Sequence, residues 1–192
     1  MVIFNGNLIL PKVRARYESW VEMATFWPNF QLKKPGVSLS LKTAWICGFS
    51  EAEGCFYATL TTPSQRSLRN FRLLQKFTLT QKDVCGEKRV LEQIRDLFES
   101  ETKLSTPKPS SFRVEIGSIK SQQLIANYFK TFPLKGKKKI AFFRWWRILL
   151  LRTKMVHYDK INEPKLRRLV SSLNESTKIQ EEEKNEEFVP SN

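Results

Sequence analysis

The stretch Trp45-Ile46-Cys47-Gly48-Phe49-Ser50-Glu51-Ala52-Glu53-Gly54-Cys55-Phe56 carries a helix, its stop and the start of a strand. Ser40 is a plausible N-cap, so the spacing predicts a helix from there to about Glu53, with Gly54 ending it. Ala44, Gly48 and Ala52 fall four apart and share one stripe. A stripe of small residues lets a second helix approach backbone to backbone. On spacing alone, ordinary packing within one domain accounts for it better. The neighbouring acids shift that balance. Glu51 and Glu53 stand at the C-terminal end of the helix, where the dipole disfavours negative charge. A bound cation would remove the conflict. The two acids lie roughly 200° apart around the axis, so one can follow a packed seam while the other faces away.

Outward from this helix, the pattern switches to alternation. Phe56, Ala58 and Leu60 face one way, and Tyr57, Thr59 and Thr61 the other. Pro63 to Ser67 reads as a turn. The next strand sets Phe71, Leu73, Phe77 and Leu79 against Asn70, Arg72, Lys76 and Thr78. Glu87 to Phe98 has the apolar stripe Val90, Leu91, Ile94, Leu97 and Phe98 of a helix. Lys103 to Thr106 and Phe112 to Ile116 read as a second strand pair, followed by helices over Ile119 to Phe132 and Lys138 to Met155. Strand pairs joined by short turns imply antiparallel pairing, so the class is α+β. Before this unit, Val13 to Trp27 is amphipathic and Pro28 closes it. The expected division is an N-terminal helical arm and linker over 1–36, a domain over 37–170, and a disordered acidic tail over 171–192.

The chain has 192 residues, 41% of them hydrophobic, which is enough for a packed core and excludes full disorder. Its net charge is +14, and residues 1–170 alone carry +18 because the tail is acidic. Such an excess calls for an anionic partner, and nucleic acid is the first candidate. Cys47, Cys55 and Cys85 show no CxxC spacing, so neither a disulfide framework nor a zinc site is suggested; buried thiols in a reducing compartment fit. His157 is the sole histidine, which all but removes histidine triads and leaves a carboxylate, a lysine or metal-bound water as general base. The longest apolar run, Ile148 to Leu151, is too short to span a bilayer. The N-terminus has neither the apolar block of a signal peptide nor the Arg- and Ser-rich opening of a transit peptide.

The quoted stretch resembles the signature of the LAGLIDADG homing endonucleases, with Glu53 at the motif's last acid and Gly54 at its closing glycine. Phe77-Thr78-Leu79-Thr80-Gln81-Lys82-Asp83 is similar to the family's second core strand and the Gln after it. Phe132-Pro133-Leu134-Lys135-Gly136-Lys137-Lys138-Lys139 resembles its basic turn. The resemblance implies an αββαββα half-domain with a saddle-shaped antiparallel sheet on the DNA major groove. It implies that Glu53, with the Ala52 carbonyl, holds Mg²⁺ or another divalent cation at the scissile phosphate. Gln81 would order water there and Lys137 would stabilise charge. Where the family often has a further basic residue this chain has Cys85; Lys82 stands nearby as a substitute. The polar strand face, Arg69, Asn70, Arg72, Lys76 and Thr78, with Arg66, Lys103 and Arg113, would contact nucleic acid.

One motif supplies one acid site, so two-strand cleavage implies a homodimer or a separately encoded half, paired through Ala44, Gly48 and Ala52. Residues 4–12 and 17–20 resemble the end of the first half in two-motif members. The family resemblance places the protein in an organelle, mitochondrion or chloroplast. The alternative is a non-catalytic RNA-binding descendant, an intron maturase or a protein on organellar ribosomal RNA. A membrane-surface or acidic-protein binder has little support. Phe142-Phe143-Arg144-Trp145-Trp146-Arg147 reads as core aromatics with the two arginines on the rim, and the Lys135 to Lys139 run suits a nuclear address or phosphate contact equally. The glutamate run after Gln180 reads as a solvated tail that could screen the basic face.

Overall fold

The computed structural model describes residues 9–23, 38–61, 71–155 and 158–173. Helix α1 (Pro11–Met23) opens on a proline, whose fixed φ suits the first helical position. Then come α2 (Trp45–Glu53), β1 (Gly54–Thr61), β2 (Arg72–Lys82), α3 (Glu87–Leu97), β3 (Ser105–Lys108), β4 (Ser111–Ile116), α4 (Ile119–Thr131) and α5 (Gly136–Thr153). A sixth helix, α6, covers 163–173. The sheet is antiparallel in the order β1-β2-β4-β3. From α2 to α4 the order is the expected αββαββα, and α5 follows as the further helix the sequence predicts.

Strand alternation separates two faces. Phe56 and Ala58 of β1, Leu73, Phe77 and Leu79 of β2, and Val114 and Ile116 of β4 are buried beneath helices. Val90, Leu91 and Ile94 of α3, Ile125 and Phe129 of α4, and Phe142, Trp145 and Ile148 of α5 close over them. Phe56 is the centre of the aromatic packing, with the rings of Phe77, Phe129, Phe142 and Trp145 all within 5.2–5.6 Å of its own. The other face bears Tyr57, Thr59, Arg72, Lys76, Thr78, Thr80, Arg113 and Glu115, each exposed or half-buried.

Several boundaries move. Ser40 does not cap α2: its Oγ accepts from Lys42 N at 3.1 Å in a preceding turn, and the helix begins at Trp45. The first edge strand is Ser105–Lys108 rather than Lys103–Thr106 and contains Pro107, which an edge strand tolerates because the proline nitrogen has no ladder bond to donate. Helix α5 starts at Gly136, so the lysine run lies in its first turn. Helix α6 extends beyond 170 and buries Leu166, Val170 and Leu173. Polar spacing around these three residues hides the helix from a compositional reading. Cys85 is exposed and Cys55 half-buried, so only Cys47 is the buried thiol expected. Residues 24–37, His157 and the tail from 174 onward lie outside the described residues. Among the described residues no helix is long and apolar enough to cross a membrane.

Two polar anchors hold the helical layer. The Tyr128 hydroxyl accepts from Cys47 N at 2.9 Å and donates to Thr43 O at 2.8 Å, pinning the start of α2 to α4. Burial raises the phenol to about 12, against partial lowering by the Cys47 N–H. Glu87 accepts from Val84 N, Cys85 N and Lys12 N, so one carboxylate serves the turn before α3 and the N-terminus of α1. Burial pushes this carboxyl up, but the backbone donors prevail and hold it below the ordinary glutamate value.

Candidate active site and nucleic-acid face

Helix α2 has two unlike sides. Ile46, Cys47, Phe49 and Ser50 are buried. Ala44, Gly48 and Ala52 are exposed. A Cβ built on Gly48 meets nothing within 4 Å, whereas one on Gly54 would lie 2.6 Å from Ser50 O. Thus Gly54 is required by this fold's own packing, and Gly48 is not. Arm residues Ile9, Leu10 and Val13 border the upper part of the stripe across a groove of about 360 Å³, together with Ala44, Trp45, Gly48 and Phe49.

Three predicted site segments converge at the lower end of α2. Glu53, the last helical residue, is half-buried. Leu79 pairs with Gly54, so Gln81 lies two residues beyond the start of β1 on the helix side of the sheet. It is 3% exposed, and its Oε1 has no hydrogen-bond partner. A buried acceptor of this kind is one that a bound water satisfies. The lysine turn reaches the same end: Lys138 Nζ donates to Ser50 O at 2.9 Å, and Lys135 N donates to Glu51 Oε1. Lys137 is exposed between them.

The donors suit a hard cation. Glu53 and the Ala52 carbonyl offer oxygen, and Mg²⁺ is held by one or two carboxylates with water and phosphate completing the shell. Among the described residues no group of three or more His, Cys, Asp or Glu could hold a metal ion. Glu53 and the Ala52 carbonyl are an incomplete ligand set by themselves, so a cation held there would need further oxygen ligands beyond these two.

The open sheet face carries Arg72, Lys76 and Thr78 of β2 and Arg113 of β4, which pairs with Thr80, and Lys103 is exposed in the segment before β3. Arg66, Arg69 and Asn70 lie outside the described residues. The surface is not uniformly cationic. Glu115, opposite Thr78, pairs with Lys76 and lies 3.9 Å from Arg113. Arg113 Nε also donates to Thr80 Oγ1 at 2.9 Å. Glu115, Thr80 and Tyr57 were not among the predicted contacts; alternation with Arg113 places Glu115 on this face and was the available signal. Of the α5 aromatics expected in the core, Phe142 and Trp145 are buried there, whereas Phe143 is exposed and Trp146 half-buried; Arg144 donates to Ser172 O at 2.7 Å.

An antiparallel sheet with one face under helices, and a glycine-bearing helix delivering a carboxylate to its edge, defines the αββαββα half-domain class. The chain matches the family model described as LAGLIDADG endonuclease over residues 46–149 and belongs to that family. It is 26% identical over 178 residues to a probable intron-encoded endonuclease 4 of Neurospora crassa, covering 91% of this chain and 31% of that protein. It is 28% identical over 118 residues to a probable intron-encoded endonuclease aI3 of Dictyostelium citrinum, covering 62% and 41%. The chain thus spans less than half the length of both curated relatives. Among solved structures, the homing endonuclease I-TnaI superposes with a TM-score of 0.63 at 21% identity, covering 76% of this chain and 99% of that one. I-AabMI bound to uncleaved DNA superposes at 0.58 and 24% identity, covering 69% and 44%. The fold is theirs.

Proposed function

We propose that this chain is one half of a site-specific double-stranded DNA endonuclease of the homing type, hydrolysing phosphodiester bonds with Mg²⁺. The half-site is completed by a second copy or a separately encoded half. The observation that carries this reading is the lower end of α2. Its exposed stripe of small residues ends in a half-buried acid, beside a buried glutamine oxygen and a lysine turn. A bound divalent cation would polarise the scissile phosphate and acidify a water. The chain's own groups do the rest. Glu53 and the Ala52 carbonyl would hold the cation through their oxygens at the helix end. Gln81 orients a water through its unpartnered Oε1. Lys137 faces the charge that develops on the phosphate.

Arg72, Lys76, Thr78, Lys103 and Arg113, with Arg66, Arg69 and Asn70, supply phosphate and base-edge contacts. Glu115 adds an acceptor able to read the amino group of cytosine. Relatives titled intron-encoded, from Neurospora and Dictyostelium, favour an organellar setting, the mitochondrion. I-SmaMI, another fold neighbour, is titled as bound to its uncleaved DNA target in the presence of calcium ions, which supports a divalent cation here. A second reading, an RNA-binding descendant that no longer cuts, draws on the exposed Cys85 in place of a basic residue.

The test selects bound duplexes from a randomised library with Ca²⁺ present, then supplies Mg²⁺. Wild-type protein should cut the selected duplex, and Glu53→Gln should bind it equally and leave it intact. Preference for structured RNA with no cleavage under any divalent ion would favour the second reading.

A further inference from the structure

Two features of the junction between α2 and α5 break local rules. Glu51 lies in the last turn of α2, where the helix dipole opposes an anion. Helix α5 starts with Lys135 at its N-cap, has no side-chain cap, and places no acid but three lysines in its first turn. Each violation is relieved by the other. Glu51 Oε1 accepts from Lys135 N, and so satisfies from another helix the N–H of the N-cap residue, as the acid of a capping box does within one helix. Lys138 Nζ accompanies it, donating at 2.9 Å to Ser50 O in the last turn of α2, a carbonyl that also accepts from Gly54 N. The electrostatics at Cys47 agree: burial raises this thiol, Glu51 raises it further, and Lys135 lowers it, so both groups lie at one locus.

We propose that Glu51 is a positioning residue, an inter-helix cap that fixes the lysine turn, and hence Lys137, against the end of the motif helix. The two acids of the motif then divide the work. Glu53 faces the reacting phosphate, and Glu51 holds the group that answers it from the far side. The inference rests on the proposed cleavage reaction for its kinetic part only; the cap itself stands on geometry.

The experiment uses the full chain with Glu51→Ala, Glu51→Gln and Glu53→Gln. Backbone amide exchange over 134–138 should quicken about five- to tenfold in Glu51→Ala, the size of a lost helix cap. It should stay near wild type in Glu51→Gln, whose amide oxygen still accepts, and in Glu53→Gln. In single-turnover cleavage, Glu51→Ala should slow the chemical step about tenfold or more at unchanged affinity for DNA. Adding Lys137→Ala to Glu51→Ala should cost much less than Lys137→Ala alone, which a merely structural role would not produce. Unchanged exchange in Glu51→Ala, exchange in Glu51→Gln as fast as in the alanine variant, or additive losses with Lys137→Ala would overturn the assignment. If wild-type protein cuts no DNA, the cleavage reading fails while the exchange data still decide the cap.

Discussion

The two sides of α2 obey different constraints. The inner side is determined by this chain alone: Ile46 and Phe49 fill the core, Tyr128 ties the Cys47 amide, and Gly54 must lack a side chain because Ser50 O lies where a Cβ would be. The outer side carries Ala44, Gly48 and Ala52, all exposed; among the described residues a Cβ on Gly48 would meet nothing within 4 Å, and Ile9, Leu10 and Val13 border Ala44 and Gly48 across a groove. Small residues on an exposed helix forgo helix propensity at the glycine and bury nothing. Their cost is recovered only when something packs there. The inner face of α2 and the adjoining Gly54 serve the fold, and the outer stripe from Ala44 to Ala52 is the surface proposed for assembly.

Substitutions can separate the two faces. The largest effect falls on the acid at their meeting point: Glu53→Gln should lower cleavage at least ~100-fold with DNA affinity intact, measured as single-turnover rate and dissociation constant. Next is Gly48→Leu. The isolated chain should fold as before and gain up to about 1 kcal/mol from helix propensity, while pairing and cleavage are lost. Sedimentation velocity paired with a thermal melt checks this, since a variant that unfolds would place Gly48 on the inner face after all. Gly54→Ala should give the opposite pattern, destabilising by about 1–3 kcal/mol through overpacking against Ser50.

The smallest effect concerns the anchor. Tyr128→Phe leaves the Cys47 amide and the Thr43 carbonyl without their hydroxyl, costing about 1–3 kcal/mol. The folded state favours the neutral phenol, raised to about 12 by burial. This contribution is complete below the unfolded tyrosine value of ~10 and is lost as pH rises through 10 toward 12. Alkaline unfolding of the wild type should show that slope, and the phenylalanine variant should lack it.

Legibility in the sequence follows the same division. Elements with strong period survive from residues to structure: α3 and both long strands appear where alternation and the 3.6-residue stripe put them. The stripe Ala44, Gly48, Ala52 is visible because it repeats every four residues. What hides is interaction between distant segments. The start of α2 is set by Tyr128 of α4, not by Ser40, and no local pattern contains that bond. Helix α6 buries only Leu166, Val170 and Leu173 among polar neighbours. The conflict between two acids and a helix C-terminus is legible, yet its resolution is not. A cation was expected to relieve it, and for Glu51 the relief comes from the amide of Lys135. The pairing of Lys76 with Glu115 is likewise a register fact, available only once β2 and β4 lie side by side.

The most direct measurement follows a selected duplex in Mg²⁺ with wild-type protein and Glu53→Gln at equal occupancy. The account predicts a cut duplex with the first and an intact, still-bound duplex with the second. Equal cleavage by both proteins, or an affinity that collapses with the glutamine, would contradict it.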